Sequence, residues 1–528
     1  MALDEIREMN ADYAEYLRDE SRSVGTADSI SFPKTEEDVR RILKAEYAAG
    51  HRITVQGART GLAAAAVPHG GHVMNMMKMD RVEGMRQDEN GRFYVTAQPG
   101  VILSQLKKQI ESKKFETADW DAASKKAFRA FLDAPEQLLT PDPTEGSASI
   151  GGIVACNASG ARSYLYGPTR GHVTAIRVVL CDGDVVALRR GEVFASGRTM
   201  TLTTESGRTM TFDLPTYTLP KTKNASGYYI ADNMDAIDLF IGSDGTLGVT
   251  TAVELSLIPM PQLVWGVTCF FAQEDAAIRF VPALREGVDR LASMEYFNGD
   301  ALALLRRQKA TNTAFAQLPE VPERYGCAVY TEIHCDTEQE ALDRLFRIGE
   351  AMTACGGCED DTWVARNSVD RDRLYFFRHA IPESVNMLID RRKKEDPVIT
   401  KLGSDMSVPD ACLAEIVKLY NESLAELGLE SAKFGHIGNN HLHVNILPRN
   451  GEEYRRGKEL FKTWAAKVTE MGGAVSAEHG VGKLKADFLK IMYGEAHIAE
   501  MAKLKAVFDP KGALGTGNLF TPYEEVQG

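Results

Sequence analysis

Three stretches crowded with small residues fall within the first 250 positions: Gln56 to Ala66 (QGARTGLAAAA), Asp142 to Tyr166 (DPTEGSASIGGIVACNASGARSYLY) and Gly242 to Gly248 (GSDGTLG). Small side chains let backbone amides come close to an anionic ligand, and consecutive amides in a turn form a concave anion site. One such stretch reads as a tight turn; three together point to a pyrophosphate cradle. It is not the common dinucleotide type. No G-x-G-x-x-G opens a helix in a βαβ setting, and no G-x4-G-K-[ST] is present.

The surrounding pattern is α+β. Residues 35–50 (TEEDVRRILKAEYAAG) read as a helix capped by Thr35, with Val39, Ile42 and Leu43 on one face and Gly50 at its end. VMNMM, RFYVTAQPG, AIRVVLCDG and TTAVELSLIP read as strands. Residues 103–137 suggest a helical insertion and 187–213 an exposed hairpin. From Val264 the composition shifts to strands such as GVTCFFA and CAVYTEIHC, each followed by helical segments. A chain of 528 residues divides on this reading into an N-terminal helical segment (1–31), a first domain (32–262), a second (263–465) and a helical tail (466–528).

Charge and cysteine content exclude several classes. With 61 Lys and Arg against 74 Asp and Glu, the net charge of -13 does not suit a nucleic-acid binder. No run approaches the roughly 20 apolar residues of a membrane span, and the start, MALDEIREMNADYAEYLRDESR, is acidic and amphipathic; the expectation is a cytoplasmic protein without a cleaved signal. Eight cysteines are too sparse for a disulfide framework. Cys355-Gly-Gly-Cys358 has the spacing of a redox pair or half a zinc site, or is a plain loop, and there is no second CxxC. The spacing of an iron–sulfur ferredoxin motif is absent, so such a relay would lie on another chain.

Of 11 histidines, His436, His441, His443 and His479 lie within 44 residues. If HLHVN is a strand, its period of two places His441, His443 and Asn445 on one face. Glu478 and His479 follow in SAEHGVGK, where Gly480 and Gly482 permit a close backbone approach. Two imidazoles with one carboxylate suit zinc or a divalent transition metal and leave positions open for a substrate.

These segments resemble, in order, the signatures of the vanillyl-alcohol oxidase and p-cresol methylhydroxylase flavoproteins. QGARTGLAAAAVP is similar to the first phosphate loop, DPTEGSASIGGIVACNASGARSYLYGPTRGHVTAIRVVLCDG to the long second signature, and KNASGYYIADNMDAIDLFIGSDGTLGVTTAVELSLIPMP to the third. The order is that of the FAD-linked oxidase branch containing D-lactate dehydrogenase, D-2-hydroxyglutarate dehydrogenase and the glycolate oxidase flavin subunit, and the resemblance runs from about Phe32 to Phe520. It implies a two-part FAD-binding domain of the p-cresol methylhydroxylase type, an α+β cap domain with an antiparallel sheet, and C-terminal helices that return to the FAD domain.

The resemblance also implies site residues. Gly57, Arg59, Thr60 and Gly61 would face the flavin diphosphate. Pro141, Asp142, Gly146, Ser149, Gly151, Gly152, Asn157, Ser159 and Gly160 would line the pyrophosphate and isoalloxazine channel, and Gly242, Asp244, Gly245, Gly248 and Val249 the adenine side. No histidine occupies the first loop, so the FAD is expected to be non-covalent. The signature HIGDGNLH maps onto residues 436–443 and, with the EHG glutamate, nominates His436, His443 and Glu478 as ligands of a divalent metal, zinc first, then manganese or iron. His441 stands where Asn is frequent, as an added ligand or a substrate contact. His479 fills the position of the base and Asn445 that of a substrate contact, while FFRHAIPE nominates Arg378 for the substrate carboxylate, with Lys401 as a second cation.

The implied reaction is oxidation of a D-2-hydroxy acid to the 2-oxo acid, with electrons passed to a separate quinone, cytochrome, electron-transfer flavoprotein or iron–sulfur subunit. Pro382 replaces a frequent Thr, which favours D-lactate or glycolate over D-2-hydroxyglutarate. A non-redox enzyme resembling alkylglycerone-phosphate synthase is the alternative on the same scaffold. A homodimer and peripheral association with the inner face of a membrane are compatible with this reading.

Overall fold

A computed structural model describes residues 5–520 of the chain. Thr35 and Asp38 form a reciprocal capping box at the start of the helix Glu36–Ala48, which satisfies two amides that a helix terminus leaves bare. Its apolar face packs on the parallel strands Ile53–Gln56 and His72–Asn75. Ser29–Ser31 and Ile6–Glu8 complete that four-stranded sheet.

The N-terminal helical segment expected over 1–31 is therefore corrected within the described residues. Two short strands flank a 3-10 turn, Ala11–Leu17, none of whose residues is buried. Its Tyr13 and Tyr16 rings pack against Phe32. Ile30 and Ser31 gain full burial in the sheet, and the Ser29 and Ser31 hydroxyls lie 2.8 and 2.7 Å from the two ring nitrogens of buried His72.

A second, antiparallel sheet has the order Val82–Gln87, Phe93–Ala97, Val249–Ser256, Val173–Val179, Val185–Arg189. The segments read as insertions join its core. Leu103–Ser112 and Ala122–Asp133 are helices, and the hairpin Thr199–Thr203/Thr209–Asp213 is exposed only on its threonine face. Met200, Leu202, Met210 and Phe212 are buried with the core of the sheet, as a period of two demands of a half-covered strand pair.

The third sheet runs Thr362–Ala365, Leu263–Phe271, Cys327–Cys335, Leu291–Phe297, Ser431–Gly435, His441–Ile446 and Leu402–Gly403, with Met406–Ser407 also paired to His441–Ile446. All its pairings are antiparallel. The helix Ala486–Phe508, broken at Gly494 (φ 74°), then carries the chain back, and Leu489, Met501, Leu504 and Phe508 pack into the same core as the second sheet.

All eight cysteines are free; Cys355 is buried and Cys358 exposed in the loop after the helix Glu338–Ala354. Among the described residues no helix is long and apolar enough to cross a membrane.

Candidate active site

The histidine segment is shaped by two left-handed backbone positions. Gly435 (φ 123°) lets the His443 ring lie against the main chain, since a Cβ there would sit 2.7 Å from His443 Cδ2. Asn440 (φ 50°) ends a 3-10 turn, Ile437–Asn439, and reverses the chain into the strand His441–Ile446. His436, His441 and His443 are thereby gathered, with ring centroids 4.5 to 5.4 Å apart.

Glu478 enters this group from the chain that follows the helix Gly451–Glu470. Its carboxylate lies 3.3 Å from His436 Nε2, 3.2 Å from His443 Nε2 and 2.6 Å from Lys223 Nζ. Burial alone would raise the Glu478 carboxyl; Lys223, His436 and His441 overcome it and hold the group well below the usual carboxylate range. Glu295, on the adjacent strand, is treated likewise. Burial opposes its charge, but Arg378 (3.4 Å) and His436 Nδ1 (2.7 Å) hold it at about 2.

Behind these lies Asp405. It accepts from the amides of Glu478 (3.3 Å) and His479 (3.1 Å) and from Ser476 Oγ (2.8 Å), and it pairs with Lys485. His479 Nδ1 is 3.4 Å from Asp405, and Nε2 is 3.4 Å from Glu478. Burial pushes the His479 ring down to about 4, so it is neutral near pH 7, while 29% of the side chain remains accessible.

A cavity of about 1300 Å³ opens onto this cluster, with Arg378, Lys401, His436, His443, Asn445, Glu478 and His479 among its walls. Asn445 donates from Nδ2 to the His443 carbonyl (3.2 Å), and its buried Oδ1 has no hydrogen-bond partner. Desolvation by the cavity wall, with Arg22 nearby, lowers the Lys401 ammonium from its ordinary value although the residue is exposed. Two imidazoles and a buried carboxylate whose donor atoms converge are a chemically sound set for zinc, manganese or iron.

The small-residue segments face one another in the first domain. A Cβ at Gly57 would lie 2.2 Å from Ser149 Oγ, one at Gly151 2.6 Å from Pro99, and one at Gly160 1.8 Å from the Asp142 carbonyl. Ser149 caps the helix Ile150–Ala155 by accepting from Gly152. Gly61 and Gly245 look onto open space, and Thr140 Oγ1 and Ser159 Oγ are buried without partners. Orphaned hydroxyls and open glycines in and next to these segments fit a large polar cofactor of the FAD kind. Thr60 is half-buried, Pro141 is buried, and Gly146 accepts from the Ser104 amide.

Other residues nominated for the cofactor also make contacts within the protein. Arg59 (φ 61°) stacks on Tyr16 and donates to the Glu15 carbonyl. Asp142 pairs with Lys107 at 3.0 Å, and Asn157 Oδ1 accepts from the Arg170 amide, beside which Gly242 packs. Asp244 accepts from the amides of Val481 (3.0 Å) and Gly482 (2.8 Å), so the third glycine loop clasps the segment that follows His479. Gly248 lies tight against Val178, and Val249 is a buried strand residue packed with the helix Glu36–Ala48. Sequence reasoning missed Lys223, Glu295 and Asp405. Glu295 alone left a signal, a single carboxylate in the apolar strand LASMEYF.

An open glycine-lined cradle joined through Asp244 to a buried imidazole–carboxylate cluster has the layout of a two-domain flavin-dependent oxidoreductase. The description of the FAD binding domain matches residues 27–127 and 122–189, and that of the FAD linked oxidases, C-terminal domain, matches residues 260–519. The chain belongs to the FAD-linked oxidase family. It is 28% identical to a D-lactate dehydrogenase of Anaerostipes hadrus, covering 88% of this chain and 84% of that one. It is 26% identical to glycolate oxidase subunit GlcD of Bacillus subtilis (93% and 89%) and 27% to a D-2-hydroxyglutarate dehydrogenase of Stutzerimonas stutzeri (96% and 94%). Its fold is similar to those of a 4-ethylphenol oxidase from Gulosibacter chungangensis (TM-score 0.64, 16% identity, 99% and 95% covered) and an alkyldihydroxyacetonephosphate synthase (0.62, 13%, 97% and 82%).

Proposed function

We propose that the protein oxidises a small D-2-hydroxy acid, D-lactate or glycolate, to the 2-oxo acid and passes the electrons to a separate acceptor. The observation that carries this reading is an accessible His479 on the same cavity wall as Arg378 and the His436–His443–Glu478 group. The names of the relatives support the substrate class.

Removal of the hydroxyl proton is the demanding part of the reaction, because an alcohol is a very weak acid. Nδ1 of His479 faces Asp405 and Nε2 lies 3.4 Å from Glu478; on this reading Nε2 accepts that proton, and the Asp405 carboxylate stabilises the imidazolium that results. Arg378, with one edge toward Glu295, offers the rest of its planar fork to the substrate carboxylate. Asn445, in the same cavity wall, is the remaining substrate contact on this reading. FAD, when bound, supplies the hydride acceptor. A divalent ion, when held by His436, His443 and Glu478, supplies Lewis acidity at the hydroxyl oxygen. On this reading the enzyme works in the cytoplasm, alone or as a homodimer, beside a soluble or membrane-bound acceptor.

Anaerobic mixing of FAD- and metal-loaded protein with D-lactate, glycolate or D-2-hydroxyglutarate tests the reading: at least one should bleach the flavin. Failure of all three sinks the substrate class, and turnover without flavin reduction would point instead to synthase-type chemistry. One observation favours a second substrate. Lys401 lines the cavity with an exposed side chain, and no described carboxylate pairs with it, which leaves it available to a distal carboxylate of D-2-hydroxyglutarate. Lys401→Met should then raise KM for D-2-hydroxyglutarate at least 10-fold and leave that for D-lactate unchanged.

A further inference from the structure

We propose that His441 is a third imidazole ligand of the metal centre, so that this chain holds its ion with four side chains, His436, His441, His443 and Glu478. The inference rests on the metal reading above and adds to it a ligand that the three-residue set lacks.

His441 is completely buried, and neither ring nitrogen completes a well-aligned hydrogen bond. Buried polar atoms in folded proteins nearly always have partners, and leaving one bare costs about 1–3 kcal/mol. Its surroundings repeat those of its neighbours. His436 Nδ1 lies 2.7 Å from Glu295 Oε1, His443 Nδ1 is 3.2 Å from the Ser404 carbonyl, and His441 Nε2 is 2.9 Å from Asp405 Oδ1. Each ring thus has its far nitrogen against an oxygen, the arrangement by which outer carboxylates and carbonyls orient histidine ligands.

The near nitrogens converge. His436 Nε2, His443 Nε2 and His441 Nδ1 stand 3.3, 3.2 and 3.8 Å from the Glu478 carboxylate, and the four donor atoms lie within 4.8 Å of one another. Donors bound at zinc's roughly 2.0–2.1 Å in a tetrahedron are about 3.3 Å apart, so small movements suffice. A substrate contact is the competing role for His441. The cavity walls include His436 and His443 but not His441, which lies behind them with no access to a substrate.

Cobalt reconstitution of the full-length, FAD-loaded protein tests this, read by chelator competition and by visible bands to the red of oxidised flavin. His441→Asn and His441→Gln should each weaken Co²⁺ binding at least 10-fold and shift and weaken those bands, with flavin content retained. Unchanged affinity and bands in both, while His443→Asn loses the ion, would overturn the role of His441 and leave the metal reading standing. Wild-type protein that binds no Co²⁺ would overturn both. The glutamine variant serves if the asparagine variant does not fold.

Discussion

Two buried groups of the second domain contain histidine, glutamate and a cation, and they are built on opposite principles. In one, Glu332 accepts from Arg162 Nε (2.7 Å), Arg162 Nη2 (3.3 Å) and Tyr330 (3.3 Å) and lies 2.7 Å from His334 Nε2, whose other nitrogen meets Tyr166 at 2.6 Å. Arg162 and Tyr166 come from the flavin domain, so this group fastens the two domains together. In the other, three imidazoles turn their near nitrogens toward Glu478, and both ring nitrogens of His441 lack a well-aligned partner. Residue types do not separate the two groups; what does is whether the polar atoms are already used. A closed network holds structure, and an open one has capacity for a ligand.

The largest effect expected from this contrast is in the open group. His479→Ala should slow flavin reduction by about 10²–10⁴ while FAD content stays unchanged; stopped-flow absorbance measures both, and an unaltered rate would remove His479 as the base. In the closed group the effect should fall on stability. Arg162→Met should cost about 2–3 kcal/mol in denaturant unfolding, below the 3–5 of a fully buried pair because 34% of the Arg162 side chain is exposed. Cobalt binding should not change, and Arg162→Met combined with Glu332→Leu should recover most of the loss.

The smallest effect is in the pH dependence of the closed group. Burial would raise the Glu332 carboxyl, but Arg162 and His334 overcome it and hold the group well below the usual carboxylate range. Its contribution is therefore complete above the unfolded value of about 4.3 and is lost progressively as the pH falls below it. Urea midpoints measured from pH 6 to 3 should fall more steeply for wild type than for Glu332→Gln. Parallel slopes would show that Glu332 is not held as described.

Periodicity and small-residue clustering made much of this legible in the sequence. The HLHVN alternation, the capped helix at Thr35 and the three glycine-rich loops all depend on local spacing, which sequence displays directly. The residues nominated for chemistry, including Arg378, Lys401 and Asn445, line one cavity with His436, His443, Glu478 and His479. Partner choice was not legible. Lys223, Glu295 and Asp405 reach the cluster from three distant segments, and nothing within a few residues of any of them specifies which histidine it meets. Val249 shows the converse: it lies inside a glycine-rich signature, yet its strand period turns it into a core.

The return of the chain to its first core bears on biosynthesis. Leu489, Met501, Leu504, Phe508 and Leu519 pack with Val95, Ile176 and Leu255 in one core. The flavin domain is thus unfinished when its own strands have left the ribosome. At about 5–20 residues per second, the chain between Leu257 and Val481 takes roughly 10–45 s to appear. Over that interval an apolar surface of the flavin domain waits for its last helix.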